Sequence, residues 1–293
     1  MLTDKLQSAV PRPREPDLIQ DIFPSNEIHI IGGPSGSGKS TLLFQWLADW
    51  QRGEPVLGHK SNPCPYVIVA CDRRKSSCEA TLDRIGLKEV LSPVIGTEEL
   101  DWGSDDFINC FEQIVNHERF PSDRKLVVLE GMATLVPAGK INDYHSVSHM
   151  LRLMSRVCER RGLTVIGTMH NAKTSDNHRI TNPRERILGS VAWSGFSDTL
   201  VLVEQMDMSK PLLDSRQVTI LPRNSKGLVV RFKLDKNGRF TPEGESEGAI
   251  AINNELSRLE KIFEWVRQQP GEWPIAKLIQ YAQEVHGIND KAV

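Results

Sequence analysis

The sequence contains few aromatic residues and no long apolar run. Aromatic side chains make up 6% of its 293 residues. A helix that spans a bilayer needs about 20 consecutive, mostly apolar residues, and no run in the chain approaches that length. The opening, MLTDKLQSAVPRPREP, has no apolar stretch of the kind that a secretory signal contains. We therefore expect a cytoplasmic protein with no membrane segment.

The chain also lacks an excess of positive charge and any closely paired cysteines. Its formal net charge of −2 gives no general attraction to nucleic acid or to an anionic membrane, so contact with a polynucleotide would require a local basic cluster. The five cysteines are odd in number and form no C-x-x-C pair. These features predict reduced thiols in the core rather than a disulfide framework.

The chain does contain an alternation of short apolar runs with longer amphipathic stretches, which predicts an α/β fold with a mostly parallel sheet flanked by helices. The runs expected to form strands are 28–31, 66–70, 126–129, 163–167, 199–203 and 217–221. The stretches expected to form helices are 40–51, 75–84, 105–115 and 146–161. The Asn-Gly pair at 237–238 predicts a final hairpin between 229–232 and 239–240.

Composition divides the chain into four parts. Residues 1–26 carry four prolines and mixed charge, and we expect an extended N-terminal arm, with a disordered tail as the equal alternative. Residues 27–241 hold the α/β pattern, and the polar stretch 242–254 is typical of a linker. Residues 255–293 show two helical stretches and the start of a third, the order of a partial winged helix. A helical hairpin packed on the larger domain fits this C-terminal module equally well.

The clearest motif lies between the first predicted strand and the first predicted helix. Its residues, Gly33, Pro34, Ser35, Gly36, Ser37, Gly38, Lys39 and Ser40, fit the phosphate-binding pattern G-x-x-x-x-G-K-S, and Thr41 continues the helix. In such a loop, main-chain N–H groups surround the phosphates, and the helix N-terminus adds partial positive charge. We expect Lys39 to reach the β- and γ-phosphates and Ser40 to ligate Mg²⁺. The motif therefore predicts binding of ATP with Mg²⁺.

Two acidic residues end predicted strands where an ATPase needs carboxylates. Glu130 follows the run 126–129 and fits the residue that holds Mg²⁺ beside the Ser40 hydroxyl. Asp72 follows the run 66–70, where a carboxylate can orient or deprotonate the attacking water. For Asp72, a salt bridge to Arg73 or Arg74 is the alternative.

Three later segments extend the pattern beyond the phosphate-binding loop. Residues 163–173 are LTVIGTMHNAK, residues 186–198 are RILGSVAWSGFSD, and residues 220–227 are ILPRNSKG. With the loop, this order of parts resembles the RecA-like core of the RepA-type hexameric replicative helicases of plasmids, an AAA_25-like P-loop ATPase. It resembles the DnaB-type motor more distantly. The likeness covers about residues 27–240.

The resemblance implies roles for three of these residues. His170 matches a strand-tip group that senses the γ-phosphate, although a hydrogen-bonded histidine with no such role is the alternative. Arg223, and secondarily Lys226, match a cation that binds the nucleotide of the neighbouring subunit and stabilises charge on the transferred phosphoryl group. A basic turn before the last hairpin is the alternative for both. Because such rings share each ATP site between subunits, we expect a homo-oligomer, specifically a hexamer.

One local basic cluster follows His170. It consists of Lys173, Arg179, Arg184 and Arg186. In the similar rings the equivalent loop faces the central pore, so the resemblance implies that these side chains neutralise phosphates of single-stranded DNA. Aromatic stacking partners are scarce nearby, and we expect salt-sensitive contacts to the backbone. A solvated surface loop is the alternative.

Two departures from the family leave more than one function open. The acids are exchanged, with Glu at position 130 and Asp at position 72, and the chain beyond Pro242 lies outside the resemblance. The leading hypothesis is a ring-forming ATPase that couples ATP hydrolysis to single-stranded DNA binding or translocation, as in a plasmid or phage helicase. The second is a regulatory or assembly switch with slow turnover that binds a protein partner through its C-terminal module. A small-molecule kinase is disfavoured because no arginine-rich lid follows the P-loop helix.

Overall fold

The computed structural model describes eight stretches of the chain, and the fold is built from them: residues 15–91, 94–100, 107–117, 125–137, 139–170, 191–205, 215–236 and 239–242. The strands are β1 Ile28–Gly33, β2 Tyr66–Ala70, β3 Val94–Gly96, β4 Leu126–Glu130, β5 Thr164–His170, β6 Thr199–Gln205, β7 Ser215–Pro222, β8 Leu228–Leu234 and β9 Phe240–Pro242. The α-helices are α1 Lys39–Gln51, α2 Lys75–Arg84, α3 Phe107–Asn116, α4 Tyr144–Arg161 and α5 Ala192–Phe196. Short 3-10 turns cover Thr97–Glu99 and Met132–Leu135.

The strands form one nine-stranded sheet in the order β3-β2-β4-β5-β1-β6-β7-β8-β9. The six strands from β3 to β6 in this order pair in parallel, and β7, β8 and β9 continue the sheet antiparallel. The carboxyl ends of β1, β2, β4 and β5 therefore meet at one edge, and they are neighbours there. The predicted mostly parallel α/β fold is confirmed, and so is the final hairpin.

Helices cover both faces of the sheet. Alternate strand residues point to opposite faces, so that Ile68 belongs to one hydrophobic cluster while Val67 and Val69 belong to the other. The first cluster includes α1 and α2, and the second includes α3, α4 and α5. Strands buried on both faces explain why each predicted strand is a continuous apolar run rather than an alternating one.

Local sequence signals set the ends of the longest helix, α4. The Asp143 side chain accepts a hydrogen bond of 2.8 Å from the main-chain N–H of Ser146, which satisfies one free donor of the first turn. Gly162 ends the helix at φ 66°, a left-handed conformation that glycine adopts without strain. Arg160 and Arg161 in the last turn complement the negative end of the helix dipole.

The extended arm predicted for residues 1–26 is wrong for its second half. Leu18, Ile19, Ile22 and Phe23 are at most 5% exposed and belong to the same hydrophobic cluster as α1. The indole N–H of Trp50 donates to the Leu18 carbonyl at 3.1 Å, which fixes this segment to α1. The four prolines suggested an unfolded arm, but the apolar residues between them bury enough surface to fold it onto the domain. Residues 1–14, 243–254 and the C-terminal module 255–293 lie outside the described residues.

Candidate nucleotide-binding site

A cavity of about 530 Å³ lies at the carboxyl edge of the parallel strands. Four neighbouring strands contribute the loops around it, which is where parallel α/β sheets bind ligands. Its lining includes the phosphate-binding loop, the first residues after β2 and β4, and the end of β5. The lining residues are Ser35, Gly36, Gly38, Lys39, Ser40, Thr41, Asp72, Arg73, Thr81, Arg84, Glu130, Gly131, Ala133, Thr134, Thr168, Met169 and His170.

The glycines of the loop are required by its geometry. Gly36 and Gly38 have φ angles of 75° and 95°, which L side chains rarely adopt. A Cβ atom at Gly33 would lie 2.4 Å from the main-chain oxygen of Val203 on β6. The loop therefore packs against the neighbouring strand, and its turns expose main-chain N–H groups at the start of α1. Such a nest of amides binds anions.

Lys39 lies within this loop and is only 7% exposed. Its ammonium group donates to the carbonyl oxygens of Gly33 at 2.9 Å and Pro34 at 2.8 Å. Burial lowers the pKa of Lys39, and the negative charges of Glu130 and Asp72 oppose that shift. The side chain thus sits beside two carboxylates, with its charge directed at the loop that is expected to hold phosphates.

Ser40 and Glu130 meet across the cavity floor. The Ser40 hydroxyl donates a hydrogen bond of 2.5 Å to Oε1 of Glu130, a carboxylate that is 4% exposed. The other oxygen, Oε2, accepts a bond of 2.7 Å from Nε of Arg73. Arg73, the alternative partner for Asp72 on sequence grounds, therefore forms its salt bridge with Glu130, and only its charge acts on Asp72.

Asp72 lies next to Glu130 because of Gly131. A Cβ atom at Gly131 would be 2.3 Å from Cγ of Asp72, and Gly131 has a φ of 88°, so this position favours glycine on both counts. The N–H of Gly131 donates to the Thr168 hydroxyl at 2.8 Å, which fixes the turn after β4. Burial, and then the charge and hydrogen bond of Glu130, raises the pKa of Asp72 to about 6. The two carboxyl groups therefore lie within hydrogen-bonding contact of each other.

His170 ends β5 on the wall of the same cavity. Partial burial lowers its pKa, and the charge of Lys39 adds to that shift while Glu130 opposes it. A neutral imidazole at this point can accept or donate a hydrogen bond without repelling Lys39.

The donor set fits a magnesium nucleotide. Ser40 and Glu130 offer hard oxygen ligands, and Mg²⁺ in nucleotide sites usually takes one or two carboxylates, waters and the phosphates themselves. Among the residues described, no group of three or more His, Cys, Asp or Glu side chains could hold a metal ion by itself. Within the same residues, the buried Ser37 hydroxyl and Nη2 of Arg73 have no hydrogen-bond partner. Polar atoms of this kind are expected where a ligand binds.

Arg223 lies at the opposite edge of the sheet. It follows Pro222, which pairs with Thr199, and Thr199 in turn pairs with His29 near the start of β1. Its Nη2 donates to the carbonyls of Gly195 at 2.6 Å and Ser197 at 3.1 Å. Neither Arg223 nor the exposed Lys226 lines the cavity of its own chain. Contact between Arg223 and a nucleotide therefore requires a second copy.

The basic cluster of Lys173, Arg179, Arg184 and Arg186 lies outside the described residues. Trp193, which follows the cluster in sequence, is fully buried at 0% exposure. It is therefore a core residue and is not available to stack on a base.

Among the contributors to the cavity that sequence patterns alone missed are Arg73, Gly131 and Thr168. The Glu130 partner is Arg73, whose neighbouring position to Asp72 concealed its real contact. Gly131 and Thr168 set the turn after β4, and they occur in no motif that marks them. In the sequence, the turn after β4 is indicated by Gly131, which directly follows the strand-end acid Glu130.

None of the helices in the described stretches is long and apolar enough to cross a membrane. In comparisons with known proteins, residues 2–176 match the AAA_25 family, described as an AAA domain. No curated protein matches the sequence significantly. Among solved structures, a KaiC-like protein, PH0186, from the hyperthermophilic archaeon Pyrococcus horikoshii OT3 matches with a TM-score of 0.52 and 16% identity. The match covers 79% of this chain and 100% of that one, and at this identity it supports the fold alone.

Proposed function

Because this chain belongs to the AAA_25 family of AAA domains and is a RecA-like P-loop ATPase domain, we propose that it couples ATP hydrolysis to single-stranded DNA. The proposed assembly is a homo-oligomeric ring, a hexamer, of the plasmid or phage replicative helicase type. The observation that carries the ATPase part is the contact between Ser40 and Glu130 beside the phosphate-binding loop. It supports a hydroxyl and a carboxylate acting together where an ATPase binds its metal ion.

The cavity residues predicted from the sequence each have a place in this proposal. The loop from Gly33 to Thr41 binds the phosphates through main-chain N–H groups, and Lys39 neutralises their charge. Ser40 and Glu130 hold Mg²⁺, which when bound neutralises charge on the β- and γ-phosphates.

The water-activating step falls to Asp72. As a carboxylate it orients the attacking water and accepts its proton, so the proton moves from water to a carboxylate oxygen. A pKa of about 6 suits a base that works near neutral pH. His170 lines the same cavity and is proposed to sense the terminal phosphate.

The trans-acting role of Arg223 is supported by its separation from its own cavity. The guanidinium is held by the carbonyls of Gly195 and Ser197 and pairs with Asp198 at 3.6 Å, and its side chain is 46% exposed. An exposed, oriented guanidinium of this kind can bind phosphate oxygens presented by a second copy. We place Arg223, with Lys226 beside it, at the γ-phosphate of the neighbouring subunit.

The DNA part of the proposal follows from the resemblance to helicase motors and from the basic cluster after His170. We propose that the cluster contacts phosphates through the positive charges of Lys173, Arg179, Arg184 and Arg186. Trp193 is buried and cannot stack on a base, so contacts to the phosphate backbone are favoured. This predicts binding that is salt-sensitive and independent of sequence.

An ATP-dependent regulatory or assembly switch is the second candidate. The observation that favours it is the exchange of acids, with Asp at position 72 and Glu at position 130. The shorter Asp72 side chain holds the attacking water less well, and slow turnover suits a switch that binds a protein partner through its C-terminal module.

ATP turnover with and without single-stranded DNA separates the two candidates. The motor predicts stimulation by DNA that declines as salt rises, whereas an unchanged rate supports the switch. Lys39→Ala and Arg223→Ala are each expected to be inactive, and mixing them should restore part of the turnover because hybrid interfaces combine one intact loop with one intact arginine. Arg231→Ala, an exposed arginine on β8, is the matched control and should keep wild-type turnover. Failure of the mixture to recover any activity would contradict the shared site.

A further inference from the structure

Arg73 is a cation in the wall of the nucleotide cavity with only part of its hydrogen-bonding capacity used. Its Nε donates to Oε2 of Glu130 at 2.7 Å, and its Nη1 lies 3.4 Å from the Thr81 hydroxyl on α2. The side chain is 29% exposed. These contacts hold the plane of the Arg73 guanidinium between the loop after β2 and Glu130 at the end of β4.

The remaining nitrogen of Arg73 is unsatisfied. Nη2 is buried and, among the residues that the structure describes, finds no acceptor. A buried donor on a charged group is costly to leave unpaired, so this atom is expected to have an acceptor in the functional state. Arg73 lines the cavity together with Lys39 and Ser40, which makes a bound anion the acceptor that the site can offer.

Glu130 links Arg73 to Lys39. Glu130 bonds directly to Arg73, and the charge of Glu130 also acts on Lys39, so both cations lie near one carboxylate. Ser40 bonds to the other oxygen of that carboxylate. The terminal phosphate of ATP is held at the junction of the loop lysine, the loop serine and the strand-end acid. Arg73 borders the same junction from the α2 side.

Resting on the proposed nucleotide site, we propose that Arg73 is a ligand of the terminal phosphate within its own subunit. Nε orients Glu130, and Nη2 donates to an oxygen of the γ-phosphate. The planar guanidinium makes both bonds at once, which the ammonium of a lysine cannot do in the same geometry. The consequence is that a single subunit distinguishes ATP from ADP before any arginine of a neighbour reaches the site.

Binding of a non-hydrolysable ATP analogue and of ADP to the full chain tests this role. We would measure both affinities by calorimetry, with Mg²⁺ and again with EDTA, for the wild type, Arg73→Ala, Arg73→Lys and Arg74→Ala. Arg74 is the matched control because it is the adjacent arginine, is exposed and does not line the cavity. Far-UV circular dichroism checks that each variant is folded, and Arg73→Lys carries the test if the alanine variant unfolds.

The expected result is a loss of triphosphate affinity of about tenfold or more in Arg73→Ala, with ADP affinity close to that of the wild type. The loss should persist in EDTA, because the proposed bond runs from Arg73 to the phosphate itself. Arg73→Lys should lose part of the preference, and Arg74→Ala should keep all of it.

Three outcomes would overturn the role. An unchanged preference for the triphosphate in Arg73→Ala would exclude the role. An equal loss of affinity for both nucleotides would show that the substitution alters the cavity as a whole. A loss confined to Mg²⁺ conditions would show that Arg73 acts only through Glu130. A wild type that binds neither nucleotide would instead refute the proposed function, which keeps the two failures distinct.

Discussion

The ring of Phe240 lies so close to Gly38 that any side chain at position 38 would collide with it. A Cβ atom built on Gly38 would be 2.6 Å from Cζ of Phe240. The main chain of Phe240 is held in turn by the Gln45 side chain, which accepts from its N–H at 2.7 Å and donates to its carbonyl at 3.2 Å. The last strand, β9, therefore packs on the phosphate-binding loop and on the helix that begins there.

This contact predicts different costs for substitutions at two glycines of the loop. Gly38→Ala adds a collision with Phe240 to the strain of a φ of 95°, whereas Gly36→Ala, at φ 75°, meets no atom within 4 Å. We expect Gly36→Ala to cost about 1 kcal/mol of folding free energy and Gly38→Ala to cost more. Urea denaturation of the two variants measures the difference. Equal destabilisation would mean that Phe240 does not restrict Gly38.

Phe240 should also affect nucleotide binding through the loop. Phe240→Ala removes a ring that is 6% exposed, and we expect a loss of about 3–5 kcal/mol of stability together with weaker ATP binding. Phe232→Ala is the matched control, because Phe232 is also buried, at 3% exposure, and packs edge-on against Phe240 with ring centroids 5.7 Å apart. It should cost similar stability and less ATP affinity. If both variants lose affinity equally at a temperature where they are folded, β9 has no specific influence on the loop.

Asp72→Asn is expected to abolish turnover and to stabilise the protein above about pH 6. The folded pKa of Asp72, about 6, is higher than its ordinary value of 3.8, so the folded state holds this proton more tightly than the unfolded state does. Between these two values, stability falls as pH rises, because the unfolded state has already released the proton. The asparagine side chain does not ionise, so the stability of this variant lacks this pH dependence. Its advantage should vanish below about pH 4, where Asp72 is protonated in both the folded and the unfolded state.

Thermal melting of wild type and Asp72→Asn without nucleotide or Mg²⁺, across pH 4 to 8, measures this effect. We expect a gain of less than about 1 kcal/mol, since water screens a carboxylate exposed to an open cavity. A difference in stability that is constant with pH would show that Asp72 ionises with its ordinary pKa.

Glu130→Gln should uncouple nucleotide binding from Mg²⁺. The amide keeps the size of the side chain and can still accept from Ser40 or Arg73, but it is a poor ligand for a hard cation. In the wild type, removal of Mg²⁺ with EDTA is expected to weaken ATP binding, and in Glu130→Gln the same removal should have little effect. Calorimetric titration with ATP compares the four conditions. An equal response to EDTA in both proteins would exclude Glu130 as the metal-holding acid.

Much of the fold could be predicted because parallel strands that are buried on both faces appear in the sequence as short apolar runs. The strand Tyr66–Ala70 and the helix Lys75–Arg84 have the predicted bounds. β3, Val94–Gly96, escaped prediction because three residues carry no periodicity. The segment around Leu18 and Phe23 escaped it because prolines outweighed its apolar residues.

The candidate site, too, could be predicted only in part from the sequence. The phosphate-binding loop and the strand-end positions of Asp72, Glu130 and His170 follow from spacing along the chain, since parallel strands bring their ends together. Which acid Arg73 bonds to does not follow from spacing, because adjacent residues after a strand point in different directions. Such contacts depend on packing between β2, β4 and α2, which no local pattern encodes.

Equilibrium binding of ATP in the presence of Mg²⁺, measured on the wild type and on Lys39→Ala, tests the nucleotide site most directly. We expect saturable binding by the wild type, with a dissociation constant below about 1 mM, and severe loss of binding in the variant. A wild-type protein that retains no ATP at millimolar concentration, or a Lys39→Ala variant that binds as tightly as the wild type, would refute the proposed nucleotide site.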